Sequence, residues 1–349
     1  MKKLVSVLFV ALLVGGMAFA ADPVVKVGGW GRVIFNAAES TGQDGADVLV
    51  GVGPSWAKGS RVRADISGTS DNFGFLLQLF FHGGTTFASP DNAKIWWKAN
   101  DMFRLTAGRF KGDTLRGKIG DSDMINTTDG DFIFERMEPV AGAMAEITPM
   151  KELYIAAAVD TDTTDYAETA SNVYQKVQAG AGYTIDKVGL IRAQYVGKWA
   201  SKAINVAFAY TGMAGLVVDA GIFIPTAETA TNKMSIGASV SYSKDAIAAV
   251  VRTYTLLADT LGFRASADLS YVVANPLSAG VELQYAKDVS VATQTVATSV
   301  TYTNLFTVAP YAKMAYGNGY MKAGFVANVG MSSGDKLSWS IPVILTYSF

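Results

Sequence analysis

The last thirteen residues of the chain, LSWSIPVILTYSF at positions 337–349, decide the class of fold. Every odd position carries an apolar or aromatic side chain, from Leu337 and Trp339 to Tyr347 and Phe349, while most even positions are small or polar. Side chains alternate between the two faces of a β-strand, whereas a helix repeats every 3.6 residues. This stretch is therefore predicted to be a strand with one apolar face.

The same period of two recurs along the chain, at 61–67, 73–82, 233–242 and 262–273. The apolar faces are bulky and often end in Trp or Tyr, which suits lipid, and the opposite faces are small or charged, which suits a wet interior. A soluble β-sandwich also alternates, but no helical stretch or linker interrupts the pattern here. Because lipid tolerates no open sheet edge, we predict an all-β fold, a transmembrane antiparallel up-and-down β-barrel.

Short connections alternate with long ones along this pattern. Gly, Asn, Asp and Pro mark the short connections at 68–72, 100–101, 148–151, 186–187, 211–214, 244–245, 274–276 and 317–319. The longest connection is 111–138, which is also the third long one. Counting hairpins gives 18 strands, with 16 as the alternative, and either number leaves an open aqueous lumen.

Composition excludes several classes of function. The 349 residues include no Cys and one His, with 29 Lys and Arg against 30 Asp and Glu. Without Cys there are no disulfides, Cys-ligated zinc or thiol catalysis, and one His leaves little for His-based metal sites or catalysis. Balanced charge argues against nucleic-acid binding. We expect a protein that is no enzyme and has no cofactor, no resident metal and no nucleic-acid partner.

The N-terminus is predicted to be a targeting segment. Lys2 and Lys3 precede an apolar run, and Ala18-Phe19-Ala20 fits a cleavage site, so residues 1–20 are expected to be a cleaved secretory signal peptide. Residues 21–349 then form a single transmembrane β-barrel domain. An exported chain without Cys is typical of a bacterial envelope.

These features together resemble the Gram-negative outer-membrane general porin family. Leu345, Tyr347 and Phe349 match the C-terminal signal that the barrel-assembly machinery reads in that family, and FRLTAGRF at 103–110 is similar to the porin strand preceding the third external loop. The resemblance implies a homotrimer in outer-membrane lipid that passes small hydrophilic solutes and ions. It also implies that the third external loop, here 111–138, folds into the lumen and narrows it.

Charge placement suggests how such a pore would work. One wall is predicted to project Arg61, Arg63, Lys94, Lys98 and Arg104 inward, with Arg109 at the start of the loop. The constriction loop has a net charge of −3 and carries the acidic residues Asp113, Asp121, Asp123, Asp129, Asp131, Glu135 and Glu138. A basic wall facing an acidic loop would create a transverse field that orients polar solutes.

Two alternatives to a weakly selective diffusion porin stay open. A substrate-specific sugar or organic-acid channel would need an aromatic slide inside the lumen, for which Trp96, Phe80 and Phe110 are the candidates; packing under the loop would explain the same residues. A structural or adhesive surface barrel would bind partners through its external loops and conduct little.

Overall fold

A computed structural model describes residues 24–40, 51–52, 61–82, 89–112, 114–119, 125, 142–160, 177–197, 203–226, 233–289, 291–292 and 301–349. One closed barrel of 18 antiparallel strands, β1 to β18 in chain order, accounts for nearly all of them. Their bounds are Val24–Ser40, Arg61–Ser70, Phe73–His82, Ser89–Asn100, Phe103–Arg109, Gly142–Met150, Leu153–Asp160, Val177–Ile185, Gly189–Val196, Ala203–Met213, Leu216–Pro225, Met234–Lys244, Ile247–Leu257, Gly262–Ala274, Leu277–Lys287, Leu305–Tyr316, Gly319–Gly324 continued by Val326–Gly330, and Leu337–Ser348. No helix in the described part of the chain is long and apolar enough to cross a membrane.

Each strand pairs with the next along the chain, and the last pairs with the first. Gly31 on β1 lies opposite Val62 on β2 and opposite Tyr347 on β18. The sheet therefore has no open edge at this seam, as hydrocarbon requires. The predicted closed barrel is confirmed, with 18 strands and not 16.

Tight turns occupy one end of the barrel, as the sequence predicts. Turns at 71–72, 101–102, 151–152, 214–215 and 245–246 join consecutive strands. Asp71 and Asp245 adopt left-handed conformations with φ of 34° and 53°, which Asp tolerates better than most residues. Both ends of the barrel sheet, Val24 and Ser348, lie at this end, because the number of strands is even.

Pro342 interrupts the ladder on both sides of β18. Opposite it, β1 shifts register between Asn36 and Glu39. On the other side, the pairing of β17 with β18 is interrupted between Ala323 and Val326, while the N–H of Phe325 between them donates to the carbonyl oxygen of Pro310 on β16. Since Pro has no N–H to donate, β1 bulges beside it, whereas β17 keeps one register against β18 on both sides of the gap.

The C-terminal residue completes the seam. Gly29 and Phe349 exchange two backbone hydrogen bonds of 3.1 and 3.0 Å. A Cβ atom on Gly29 would overlap the backbone oxygen of Arg63 and lie 2.9 Å from Cζ of Phe349, whereas one on Gly31 would meet only Val62 Cγ2 at 3.8 Å. Gly29 is therefore required where β1, β2 and the chain terminus meet.

Gly29→Ala is expected to impair barrel closure, and Gly31→Ala is the matched control. Overpacking at Gly29 should destabilise the barrel by about 3 kcal/mol, the upper end of the usual range. The measurement is the urea midpoint of the refolded protein, followed by gel mobility of unheated samples. Equal midpoints for the two variants would contradict the proposed role of Gly29.

Candidate functional site

The two faces of the barrel wall differ as the alternation predicts. On β10, Ile204 points outward and is 45% exposed, while its neighbour Asn205 points inward and is 1% exposed. Outward aromatic pairs lie near both ends: Trp97 with Phe103 beside a tight turn, and Phe325 with Trp339 towards the long connections. An apolar band with aromatic residues at its ends matches a lipid-facing surface.

The third long connection enters the barrel after β5 and first attaches to β9 and β11. Arg192 on β9 donates to the carbonyl oxygen of Arg116 at 2.8 Å and pairs with Asp219 on β11. The other carboxylate oxygen of Asp219 accepts from the backbone N–H of Lys118 at 2.7 Å. One fully buried ion pair thus holds the connection by its backbone. Burial and the nearby Arg192 charge lower the pKa of the Lys118 ammonium, with Asp219 opposing them.

A second attachment lies across the lumen on β15. The backbone N–H of Ile125 donates to Glu282 at 2.9 Å, and the same carboxylate accepts from Lys322 on β17 at 2.6 Å. The Ile125 side chain belongs to a buried apolar cluster with Ile34 and Ile344. The connection therefore runs from the β9–β11 wall to the β15–β18 wall, which confirms that its described residues fold into the lumen.

The predicted basic wall lies on the inner face of β2 to β5. Arg61 and Arg63 stand opposite His82 and Phe80 in the register, and Arg63 pairs with Asp65 at 2.8 Å. Val62 between them faces outward and is exposed. The register that places both guanidinium groups in the lumen is therefore the one that the sequence predicts.

Among the other predicted cations of the wall, Lys94 has an aromatic neighbour and Arg104 an acidic one. Lys94 lies 5.9 Å from the ring centroid of Phe110, and Lys98 stands opposite Arg104. Arg104 forms two hydrogen bonds of 2.5 Å with both carboxylate oxygens of Glu146 on β6. Glu146 also accepts from the hydroxyl of Tyr154 at 2.8 Å. This carboxylate neutralises one of the five cations.

The inward cations differ in how much of their side chains is exposed. The side chains of Arg63 and Arg104 are 24% and 41% exposed. On β9, Arg192 is 0% exposed and bonds to the third connection through the carbonyl oxygen of Arg116. On β17, Lys322 is 4% exposed and pairs with Glu282, which holds the backbone of Ile125. The β2–β5 wall therefore carries partly exposed cations, whereas the ion pairs beside the third connection are buried.

The remaining charged residues predicted for the pore either lie on the outer face or fall outside the described residues. Arg109 is not part of the wall: β5 continues through it, so it stands opposite Ala93 on the outer face, one position beyond the inward pair Lys94 and Gly108. The seven acidic residues predicted for the constriction lie outside the described residues: Asp113, Asp121, Asp123, Asp129, Asp131, Glu135 and Glu138.

The three aromatic residues considered for a slide occupy separate surroundings. Phe110 is buried in a cluster with Leu115 and Met144 under the third connection. Phe80 is buried edge-on to Trp30, with centroids 5.9 Å apart. The Trp96 ring covers Gly74. Burial leaves Phe80 and Phe110 as packing residues and not as the surface of a slide.

Sequence reasoning missed Trp30 and Arg32 on β1, Glu146 on β6 and Lys322 on β17. Trp30 and Arg32 lie within GGWGR at 28–32, where glycine content hides the alternation. Counting even positions back from Ile34, which is buried, would have found both. Glu146 and Lys322 face inward by alternation too, but their ion pairs depend on register across neighbouring strands.

Comparison with known proteins gives the fold. No family model matches the chain, and no curated protein is similar to it in sequence. Among solved structures, OmpT (trimer form), an outer membrane protein of Vibrio cholerae, is 13% identical, with a TM-score of 0.51 over 94% of this chain and all of that one. The fold is that of an outer-membrane barrel.

Two further barrels are similar in structure. OccAB4 of Acinetobacter baumannii is 8% identical, with a TM-score of 0.58 over 95% of this chain and 99% of that one. OccK2 of Pseudomonas aeruginosa, solved in complex with glucuronate, is also 8% identical with a TM-score of 0.58, over 94% of this chain and 98% of that one. At these identities the likeness concerns the fold alone.

Proposed function

We propose that the protein is an outer-membrane porin, a water-filled channel for passive diffusion of small hydrophilic solutes and ions. The observation that carries this proposal is the partial exposure of Arg63 and Arg104 on the inner face of a closed 18-stranded barrel. An 18-stranded barrel is wide enough for an aqueous passage. We expect the third connection to narrow that passage, since its residues 116, 118 and 125 bond to the inner face of the barrel.

The channel has a weak preference for anions. On β2 to β5, five described inward cations accompany one inward carboxylate, Asp65, and Glu146 on β6 neutralises a further one of these cations, Arg104. The carboxylates Asp219 and Glu282, in contrast, are buried in ion pairs beneath the third connection. Charges exposed to the passage act on permeating ions, whereas buried pairs largely cancel. The net charge of −3 that the sequence gives to 111–138 is expected to keep this preference weak.

Location and assembly follow from the same proposal. The signal peptide 1–20 is removed, Leu345, Tyr347 and Phe349 direct assembly into the outer membrane, and three copies associate. The outward apolar faces and their aromatic ends support insertion into lipid. OmpT of Vibrio cholerae, which shares the fold, was solved in a trimer form.

Liposome swelling tests the proposal directly. Liposomes containing the refolded mature chain should swell in isotonic arabinose, more slowly in glucose and hardly at all in raffinose, because a narrowed aqueous passage sieves by size. Because these sugars are uncharged, their swelling rates report the size limit of the passage without a contribution from charge selectivity. A folded barrel whose liposomes do not swell in arabinose would overturn the porin and favour a structural surface barrel.

A further inference from the structure

Five inward side chains on β1 to β3 form a guanidinium–aromatic cluster: Trp30, Arg32, Arg61, Arg63 and Phe80. The Cζ atoms of Arg61, Arg63 and Arg32 lie 5.0, 5.5 and 5.8 Å from the Trp30 ring centroid. Arg61 Cζ also lies 4.3 Å above the Phe80 ring. These distances are those of cation–π contacts.

The cluster contains an unfavourable pairing of charges. In the sheet register Arg32 stands directly opposite Arg61, and Trp30 stands opposite Arg63. Like charges directly opposite each other destabilise a β-sheet. Asp65 pairs with Arg63 at 2.8 Å, so three guanidinium groups and one carboxylate lie together here. Arrangements that violate a local folding rule are expected at functional sites.

The surroundings of the cluster place it where solutes pass. Phe80 is buried behind Arg61, whereas Trp30 and the three arginines are partly exposed. They lie on the wetted side of the lumen, next to the partly exposed Asp65. The rings hold the guanidinium groups in fixed orientations, so little side-chain freedom is lost when an anion binds.

We propose that this cluster is a binding subsite for small organic anions that combine a carboxylate with a flat aromatic body. A guanidinium group presents a planar fork of N–H donors that matches the two oxygens of a carboxylate. The face of Trp30 and the planes of the guanidinium groups accept a second flat ring. A halide would interact with the guanidinium charges alone, and a neutral sugar would contact the aromatic ring alone.

This inference rests on the proposed function, because solutes reach the cluster through the passage, but binding can be measured without conduction. The refolded mature chain in detergent is titrated calorimetrically with benzoate, acetate and benzyl alcohol. Benzoate should bind about tenfold more tightly than acetate, since one stacking contact is added to the same carboxylate contacts. Benzyl alcohol, which lacks the carboxylate, should bind more weakly than benzoate.

Variants assign the binding to the cluster. Trp30→Leu should reduce the benzoate-to-acetate ratio to near one, while Trp97→Leu, on the outer face, should leave it unchanged. The double variant Arg61→Gln with Arg63→Gln should weaken the binding of both benzoate and acetate. Lys151→Gln, in a tight turn, is the matched control for this loss of positive charge. If the double variant does not fold, the affinities of the wild-type chain for benzoate, acetate and benzyl alcohol still show whether it prefers an aromatic carboxylate.

The outcomes separate this inference from the channel itself. A protein that swells liposomes but binds benzoate no more tightly than acetate overturns the subsite and leaves the porin standing. A Trp97→Leu variant that loses the preference as fully as Trp30→Leu also overturns it. A protein that prefers benzoate in detergent yet forms no passage supports the subsite and overturns the porin.

Discussion

Replacing Arg61 and Arg63 together with glutamine is expected to reverse the ion preference of the channel from anions to cations. Both guanidinium groups lie on the exposed wall, and loss of Arg63 leaves the Asp65 carboxylate without the partner that it has at 2.8 Å. A unit charge about 4 Å from an ion in water changes its energy by about 1 kcal/mol, which corresponds to roughly fivefold in permeability. The measurement is the reversal potential in a salt gradient below 0.1 M, a condition chosen to limit screening.

A substitution of opposite sign provides the matched control. Glu146→Gln keeps an acceptor for Tyr154 but leaves the Arg104 cation uncompensated, so the reversal potential should move further towards anion preference. Lys151→Gln, which removes a cation outside the lumen, should change nothing. At 1 M salt, where the Debye length is about 3 Å, both shifts should shrink. Shifts of the same sign in the two lumen variants would contradict a basic wall that acts through charge.

Detaching the third connection from β9 and β11 is expected to change both the stability of the barrel and its single-channel currents. Asp219→Asn removes the charge that compensates the fully buried Arg192, and breaking such a pair costs about 3–5 kcal/mol. It also weakens the acceptor of the Lys118 backbone N–H. We expect a lower urea midpoint together with larger and noisier single-channel currents, because the constriction loses its attachment.

A double substitution separates the attachment from barrel stability. Arg192→Met with Asp219→Leu replaces a buried ion pair by apolar side chains, a change that is often neutral or stabilising. It removes the bonds to the carbonyl oxygen of Arg116 and to the N–H of Lys118 as well. The urea midpoint should recover while the currents stay large and noisy. Wild-type currents in this stable double variant would show that the pair does not position the constriction.

Much of the fold could be predicted because period-two alternation and turn residues are local signals. The wall cations Arg61 and Arg63 followed from the same signal, since each inward position is fixed by its neighbours on one strand. The prediction that Arg109 belongs to the inward wall is wrong. It treats Arg109 as a loop residue, whereas β5 continues through it and the alternation places it on the outer face.

Ion pairing between strands could not be predicted. Arg104 and Glu146 are 42 residues apart, and their contact depends on the register of β5 against β6 across the longest connection. Likewise, alternation shows that Asp219 and Glu282 face the lumen but not that the third connection covers them. That covering decides which charges act on permeating ions, and it depends on tertiary packing.

Single-channel recording of the refolded mature chain in a planar bilayer, with a salt gradient across it, measures both the water-filled passage and its ion preference. We expect discrete, stable steps in current and a reversal potential whose sign corresponds to a weak preference for anions. A correctly folded barrel that produces no steps, or steps with a clear cation preference, would contradict a water-filled passage lined by the β2–β5 wall.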